Sequence, residues 1–267
     1  MPTTGRTWPT CPTSKRPSSR VYAVRRLLPD PASTSVGEQL DGLELVGLAR
    51  DHRPNVITNF AITLDGRATL HGRSGAIGSD ADTEMLVGLR TKVDAVMIGA
   101  GTLRAERYGR VVPDPEKRAR RERDGLPHDP LAVIISGRLD IPWDAPLFTD
   151  GGGQVLIFTA SKTEAPETRT PVQLVRHEDD VDLAAALTHM RTEHGVRALL
   201  CEGGPLVHAQ LIESGLVDEL FVTHAPKLAG GEGPTLAEGL PELERPLDLA
   251  WLLEQDGELF ARYRTVR

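Results

Sequence analysis

LAVIIS at residues 131–136 and QVLIFTA at residues 154–160 are continuous apolar runs, and they decide the fold class. They lack the alternation of a half-exposed strand, so each reads as a strand buried on both faces, which belongs in a parallel sheet covered by helices. Outward from this pair the theme repeats. Val56–Ile62, Val93–Gly99, Arg197–Cys201 and Leu220–His224 read as further strands. Between them the apolar residues of 181–194 fall at helical spacing, and Pro205 to Ser214 reads as another helix. Ser79, with Asp80 and Asp82 after it, reads as the N-cap and first turn of a helix reaching about Arg90. At the C-terminus, LDLAWLLEQDGELFARYRTV places Asp256-Gly257 between two extended runs, which is a hairpin signal. The sum predicts an α/β protein with a mostly parallel central sheet flanked by helices and an antiparallel C-terminal hairpin.

The remaining segments are less regular. Residues 1–20 are rich in Pro, Thr and Ser and predict a disordered tail, leaving 21–267 as a single domain. VYAVRRLL at 21–28 predicts a short strand or docking arm, 29–37 a connector, and LDGLELVGLAR at 40–50 a short helix. The charged, proline-bracketed stretch 113–130 predicts an exposed excursion with one or two helical turns in its middle.

A formal charge of −7, from 31 basic and 38 acidic residues, argues against nucleic acid as the main partner. No run of about 18 apolar residues exists to span a bilayer, so no membrane partner is expected. The N-terminal basic residues lack the apolar stretch of a signal peptide. Two cysteines, Cys11 and Cys201, make neither a disulfide framework nor a zinc cluster, which fits a reducing cytoplasm. The eight histidines show no metal spacing, and no metal is implied.

Three strand exits carry polar groups beside glycine: NFAITLDGR at 59–67, VMIGAGT at 96–102 and CEGGP at 201–205. Such exits admit a phosphate or a flat ring, and three of them suggest one nucleotide site. Asn59, Ala61, Thr63 and Asp65 share one side of their strand by its period of two. Asp65-Gly66 is also a common turn dipeptide, so a turn role stands beside a site role. Gly99 and Gly101 precede Thr102, but Arg104 replaces the third glycine of a dinucleotide fingerprint. Gly203 and Gly204 lead into a helix N-terminus, where backbone N–H groups favour an anion. Ser136 and Arg138 leave a further strand and offer a grip on a 2′-phosphate. The Gly/Ser-rich loop 72–82 supplies Arg73, Ser74 and Ser79 as donors and reads as a lid or phosphate loop.

The wording and order of these motifs resemble the pyrimidine reductase family of riboflavin biosynthesis, whose fold is dihydrofolate-reductase-like. The resemblance runs over roughly 21–265 and includes the 72–82 loop through Arg90. It implies NADPH as cofactor, a small-molecule substrate and a homodimer. The implied reaction converts 5-amino-6-(5-phosphoribosylamino)uracil to the ribitylamino product. By the same resemblance Asp65 faces the substrate as the candidate proton-transfer group, with Glu202 second. Asn59, Thr63, Arg73, Ser79, Arg90 and Glu106 are then substrate-side residues. Ala61, Gly99, Gly101, Thr102, Ser136, Arg138, Gly203 and Gly204 are cofactor-side. The zinc-deaminase signature often fused to this reductase is missing, so the chain reads as the reductase half standing alone. A reductase of dihydrofolate or a related pterin, and a non-catalytic nucleotide-binding protein, remain as alternatives on the same fold.

Overall fold

The computed structural model describes residues 22–266, so the tail expected over 1–20 lies outside the described residues. In chain order the elements are β1 (Ala23–Leu28), β2 (Ala32–Ser35), α1 (Val36–Asp41), β3 (Asn55–Thr63), α2 (Asp80–Arg90), β4 (Ala95–Gly99), α3 (Ala100–Glu106), α4 (Pro115–Arg123), β5 (Leu131–Ile135), α5 (Pro146–Thr149), β6 (Val155–Thr159), β7 (Val172–Arg176), α6 (Leu183–His194), β8 (Ala198–Cys201), α7 (Pro205–Glu213), β9 (Glu219–Ala225), β10 (Leu247–Gln255) and β11 (Glu258–Thr265).

These strands form one 11-stranded sheet in the order β2-β1-β10-β11-β9-β3-β8-β4-β5-β6-β7. Strands from β9 through β7 pair in parallel, and β11, β10, β1 and β2 extend the sheet in antiparallel fashion. The apolar runs that opened the sequence reading are β5 and β6, almost wholly buried, as a doubly covered parallel strand requires. One face packs Ile57 and Ile98 against Met85 and Leu89 of α2 and against Phe260 of β11. The other packs Val56, Phe60 and Met97 against Leu187 of α6 and Leu211 of α7. Each such fully buried aliphatic side chain contributes about 1.5–3 kcal/mol.

Acidic residues fix the N-terminal ends of the parallel strands. Asp218, just ahead of β9, accepts from both Arg53 nitrogens at 2.6 and 2.9 Å and from the Val56 amide at 3.0 Å. Asp94, ahead of β4, accepts from the amides of Arg197 at 2.9 Å and Ala198 at 3.0 Å, locking β8 in register. The site lies at the opposite, C-terminal ends of these strands.

Several local expectations are corrected. The connector at 29–37 contains β2 and the start of α1, because Ser35 and Glu38 form a capping box that starts the helix early. The helix expected over 40–50 is therefore absent, replaced by a single 3₁₀ turn at Val46–Leu48. The excursion at 113–130 holds α4, capped by Asp114 with Pro115 in its first turn. Its Arg121 is fully buried, giving hydrogen bonds to the carbonyls of Arg90, Val93 and Pro127 at 2.7, 2.8 and 2.9 Å. Edge strand β7 was absent from the sequence reading.

Candidate active site

The C-terminal ends of β3, β8, β4 and β5, with α2 and the 66–79 loop above them, enclose a cavity of about 700 Å³. Its floor is made where neighbouring strand exits press on each other. The Gly99 amide donates to the Gly203 carbonyl at 2.6 Å, and a Cβ on Gly99 would lie 2.9 Å from the Gly204 nitrogen. A Cβ on Gly204 would lie 2.8 Å from Thr102 Oγ1. Gly99 is thus required by backbone contact between the β4 and β8 exits, whereas Gly204 faces a side-chain hydroxyl. The Gly203–Gly204 peptide is cis.

Both α3 and α7 begin at these glycines, and neither has a side-chain cap. Their N-terminal dipole ends therefore face the cavity and favour an anionic ligand group. Arg138 follows Ser136 at the cavity rim, exposed and without an ion pair among the described residues. Arg104, which also lines the cavity, pairs with Asp140 at 3.1 Å.

Glu202 is buried and fully engaged. Arg90 Nε and Nη2 donate to its two oxygens at 2.5 and 2.6 Å, and the Tyr108 hydroxyl donates to Oε2 at 3.0 Å. Burial opposes the charge on Arg90, but Glu202 outweighs it and holds the guanidinium protonated. Burial and the Glu202 charge push the Tyr108 phenol well above its ordinary value, so it stays a hydroxyl. Beside this triad His208 stands edge-on to Phe60, ring centroids 3.8 Å apart, and burial pushes it down to about 3. It is a neutral imidazole at neutral pH.

Above the floor, Glu106 Oε1 accepts from the amide and hydroxyl of Ser74 at 3.1 and 2.9 Å. This strap ties the 72–79 loop to α3 across the cavity mouth. Asn59, Ala61, Gly99, Gly101, Thr102, Ser136, Arg138, Gly203 and Gly204 line the cavity with Glu106 and Glu202.

Other expected residues stand elsewhere. Asp65 does not line the cavity. Its carboxylate accepts from the Thr63 hydroxyl at 2.6 Å and from the amides of Ala229 and Gly230 at 3.0 and 2.7 Å. Those donors, Thr63 first, hold it far below the usual carboxylate range. Asp65 and Thr63 therefore clamp the 226–236 loop, whose Pro234 and Leu236 reach the cavity. Arg73 is exposed beside the lining residues Gly72 and Ser74. Ser79 caps α2 and donates to Glu258 in a separate pocket of about 360 Å³. Arg90 acts on the cavity through Glu202. Asp82, Phe60 and His208 line the cavity and were missed as site residues. In the sequence, Asp82 carries only the signal of an acid in a helix first turn, and the other two read as core.

Residues 54–255 match the family described as the RibD C-terminal domain. The chain is 31% identical over 192 residues to the 2,5-diamino-6-ribosylamino-4(3H)-pyrimidinone 5′-phosphate reductase of Archaeoglobus fulgidus, covering 70% of this chain and 87% of that protein. It is 29% identical over 194 residues to the riboflavin biosynthesis protein RibD of Bacillus amyloliquefaciens, covering 70% of this chain and 49% of that protein, about half its length. Among solved structures, a pyrimidine reductase-like protein from Corynebacterium diphtheriae superposes with a TM-score of 0.72 at 23% identity, over 87% of this chain and 99% of that one. No helix among the described residues is long and apolar enough to cross a membrane.

Proposed function

Because the chain belongs to the RibD C-terminal domain family, with its dihydrofolate-reductase-like fold, we propose that it reduces the ribosylamino side chain of a pyrimidine 5′-phosphate with NADPH, in riboflavin biosynthesis. The observation that carries this reading is the division of the cavity. One half holds the uncapped ends of α3 and α7 with Arg138 at the rim, and the other holds Asn59, Asp82 and the Ser74–Glu106 strap.

The first half fits a dinucleotide. Gly99 and Gly204 leave no side chain between the two helix ends, so backbone N–H groups can approach a pyrophosphate, and Ser136 with Arg138 suits a 2′-phosphate. NADPH, when bound, supplies the hydride that reduces C1′ of the substrate. The C1′–O4′ bond of the ribose ring breaks and one proton is taken up overall, leaving an open ribityl chain. The Arg90–Glu202–Tyr108 triad keeps the floor rigid and the phenol protonated, and so fixes the surface on which donor and acceptor would be held. Asp65 acts through the 226–236 loop, and Glu202 through Tyr108. The subunit is a single domain, works in the cytoplasm and pairs as a homodimer.

Purified protein is incubated with NADPH and, in turn, the ribosylaminopyrimidine phosphate and dihydrofolate, while the reduced-nicotinamide absorbance is followed. Consumption with the former supports the reading. Consumption with dihydrofolate alone, or with neither, overturns it. Arg138→Ala should weaken NADPH by roughly ten- to a hundredfold and leave NADH nearly unchanged. Equal losses in a titration would remove Arg138 from the 2′-phosphate site.

A further inference from the structure

Between the end of β3 and the start of α2 the chain forms a flap, residues 69–75, whose ends are pinned and whose middle is not. Ahead of it, Arg67 Nη1 donates to the Gly233 carbonyl at 2.6 Å and the Ala68 amide to the Pro234 carbonyl at 2.8 Å. Behind it, Ile77 is fully buried, and Lys227 Nζ donates to the carbonyls of Ala76 and Ile77 at 3.1 and 2.6 Å. Residues 71–75 are exposed. The tip nonetheless holds its own shape. Leu70 and Arg73 exchange both backbone hydrogen bonds, at 2.9 and 3.1 Å, around His71 and Gly72. Those two residues have φ of 53° and 76°, the positive pair that a type I′ turn requires. A segment with fixed ends and a self-bonded tip swings as a unit instead of unravelling.

Thr69, Gly72, Ser74 and Gly75 of the flap line the cavity, as do Ala105 and Glu106 of α3. Among the described residues, the hydrogen bonds that cross from flap to helix are the two from Ser74 to Glu106 Oε1, at 3.1 and 2.9 Å and both at exposed positions. Two such bonds favour the closed flap by roughly ten- to a hundredfold. The mouth is then covered most of the time, and the open state stays populated. Glu106 ends a seven-residue helix, so it stands about 9 Å along the axis from Ala100, where the helix meets the proposed pyrophosphate. The latch therefore belongs to the other half of the cavity.

Resting on the division of the cavity proposed above, we propose that residues 69–75 are a gate over the substrate half alone, latched by Glu106. It opens for the pyrimidine phosphate and its product, while the dinucleotide enters past Arg138 without moving it. The closed gate excludes water from the reacting carbons, and opening it releases the reduced product. Glu106 is a positioning residue: its carboxylate holds the flap, and the flap covers the substrate.

Nitroxide labels at Arg73→Cys on the flap and Arg107→Cys beside the latch, in a chain carrying Cys11→Ser, report the flap-to-helix distance by pulsed electron resonance. Cys201 is buried and stays unlabelled. In Glu106→Ala the short-distance population should fall from roughly nine-tenths to about half. Glu106→Gln, whose amide oxygen still accepts from Ser74, should stay close to the parent. Ser74→Ala keeps only the backbone bond and should fall between them. Thermal melts establish that each variant is folded, and Ser74→Ala decides should Glu106→Ala not fold. Adding the ribosylaminopyrimidine phosphate should close the flap of Glu106→Ala, and NADPH alone should leave it open. An unchanged distance distribution in Glu106→Ala overturns the latch, and closure by NADPH alone overturns a gate over the substrate half. A pyrimidine phosphate that raises the melting temperature yet leaves the flap open overturns the gate as well. One that neither binds nor closes the flap overturns the proposed function, and the latch then stands or falls on the variants without ligand.

Discussion

Asp65 closes its turn with three accepted hydrogen bonds, and this arrangement predicts a specific kinetic outcome. In Asp65→Asn one amide nitrogen would face the Gly230 N–H, loosening the loop that brings Pro234 and Leu236 to the cavity. KM should rise several-fold while kcat stays within about threefold, whereas loss of a proton-transfer group would lower kcat by about 10²–10⁴. Steady-state kinetics of this variant separate the two. The sequence could not, because the same Asp-Gly dipeptide marks a turn and a strand-end carboxylate. His208 makes a second prediction. Its folded pKa of about 3 lies below the unfolded value near 6.5, so the unfolded chain takes up the proton first. Stability is then lost as pH falls below about 6.5, by up to about 4–5 kcal/mol near pH 3. Replacing the ring in His208→Phe should flatten that part of the pH profile, read as urea midpoints at pH 7 and pH 4.

At the scale of elements, the exits of β4 and β8 form one unit. Gly99→Ala sets a Cβ against backbone, at 2.9 Å from the Gly204 nitrogen, and should cost about 1–3 kcal/mol of stability. Gly204→Ala meets only the Thr102 hydroxyl, at 2.8 Å, so Thr102→Ala in the same chain should recover most of its loss. Thermal melts of the four variants check this, and full additivity of the last pair would refute the contact. Both glycines were visible in the sequence as strand exits, but their contact with each other was not, since spacing cannot say that the two exits touch. Ser79 and the Asp256-Gly257 hairpin were legible because their signals are local. Arg121 was not, because a buried arginine bonded to three carbonyls looks, in sequence, like any residue of a charged helix.

For the whole molecule, the exposed Leu247 and Leu249 of β10 supply apolar surface near the antiparallel end of the sheet. The proposed homodimer predicts a mass in light scattering of twice the 29.0 kDa chain, and a concentration-independent monomer would exclude it. The mostly parallel sheet was legible because buried strands announce themselves as apolar runs, whereas strand order was not, because pairing partners are distant in sequence. That distance has a kinetic side. β3 lies between β8 and β9, so it pairs only with strands made much later in the chain. Until residue 201 has left the ribosome the buried strand segment Val56–Phe60 has neither neighbour, and until residue 225 it lacks one of the two, so the nascent chain exposes an unpaired β edge. Refolding should accordingly be slow for a domain of this size, and chaperone dependence during synthesis should end when β9 emerges.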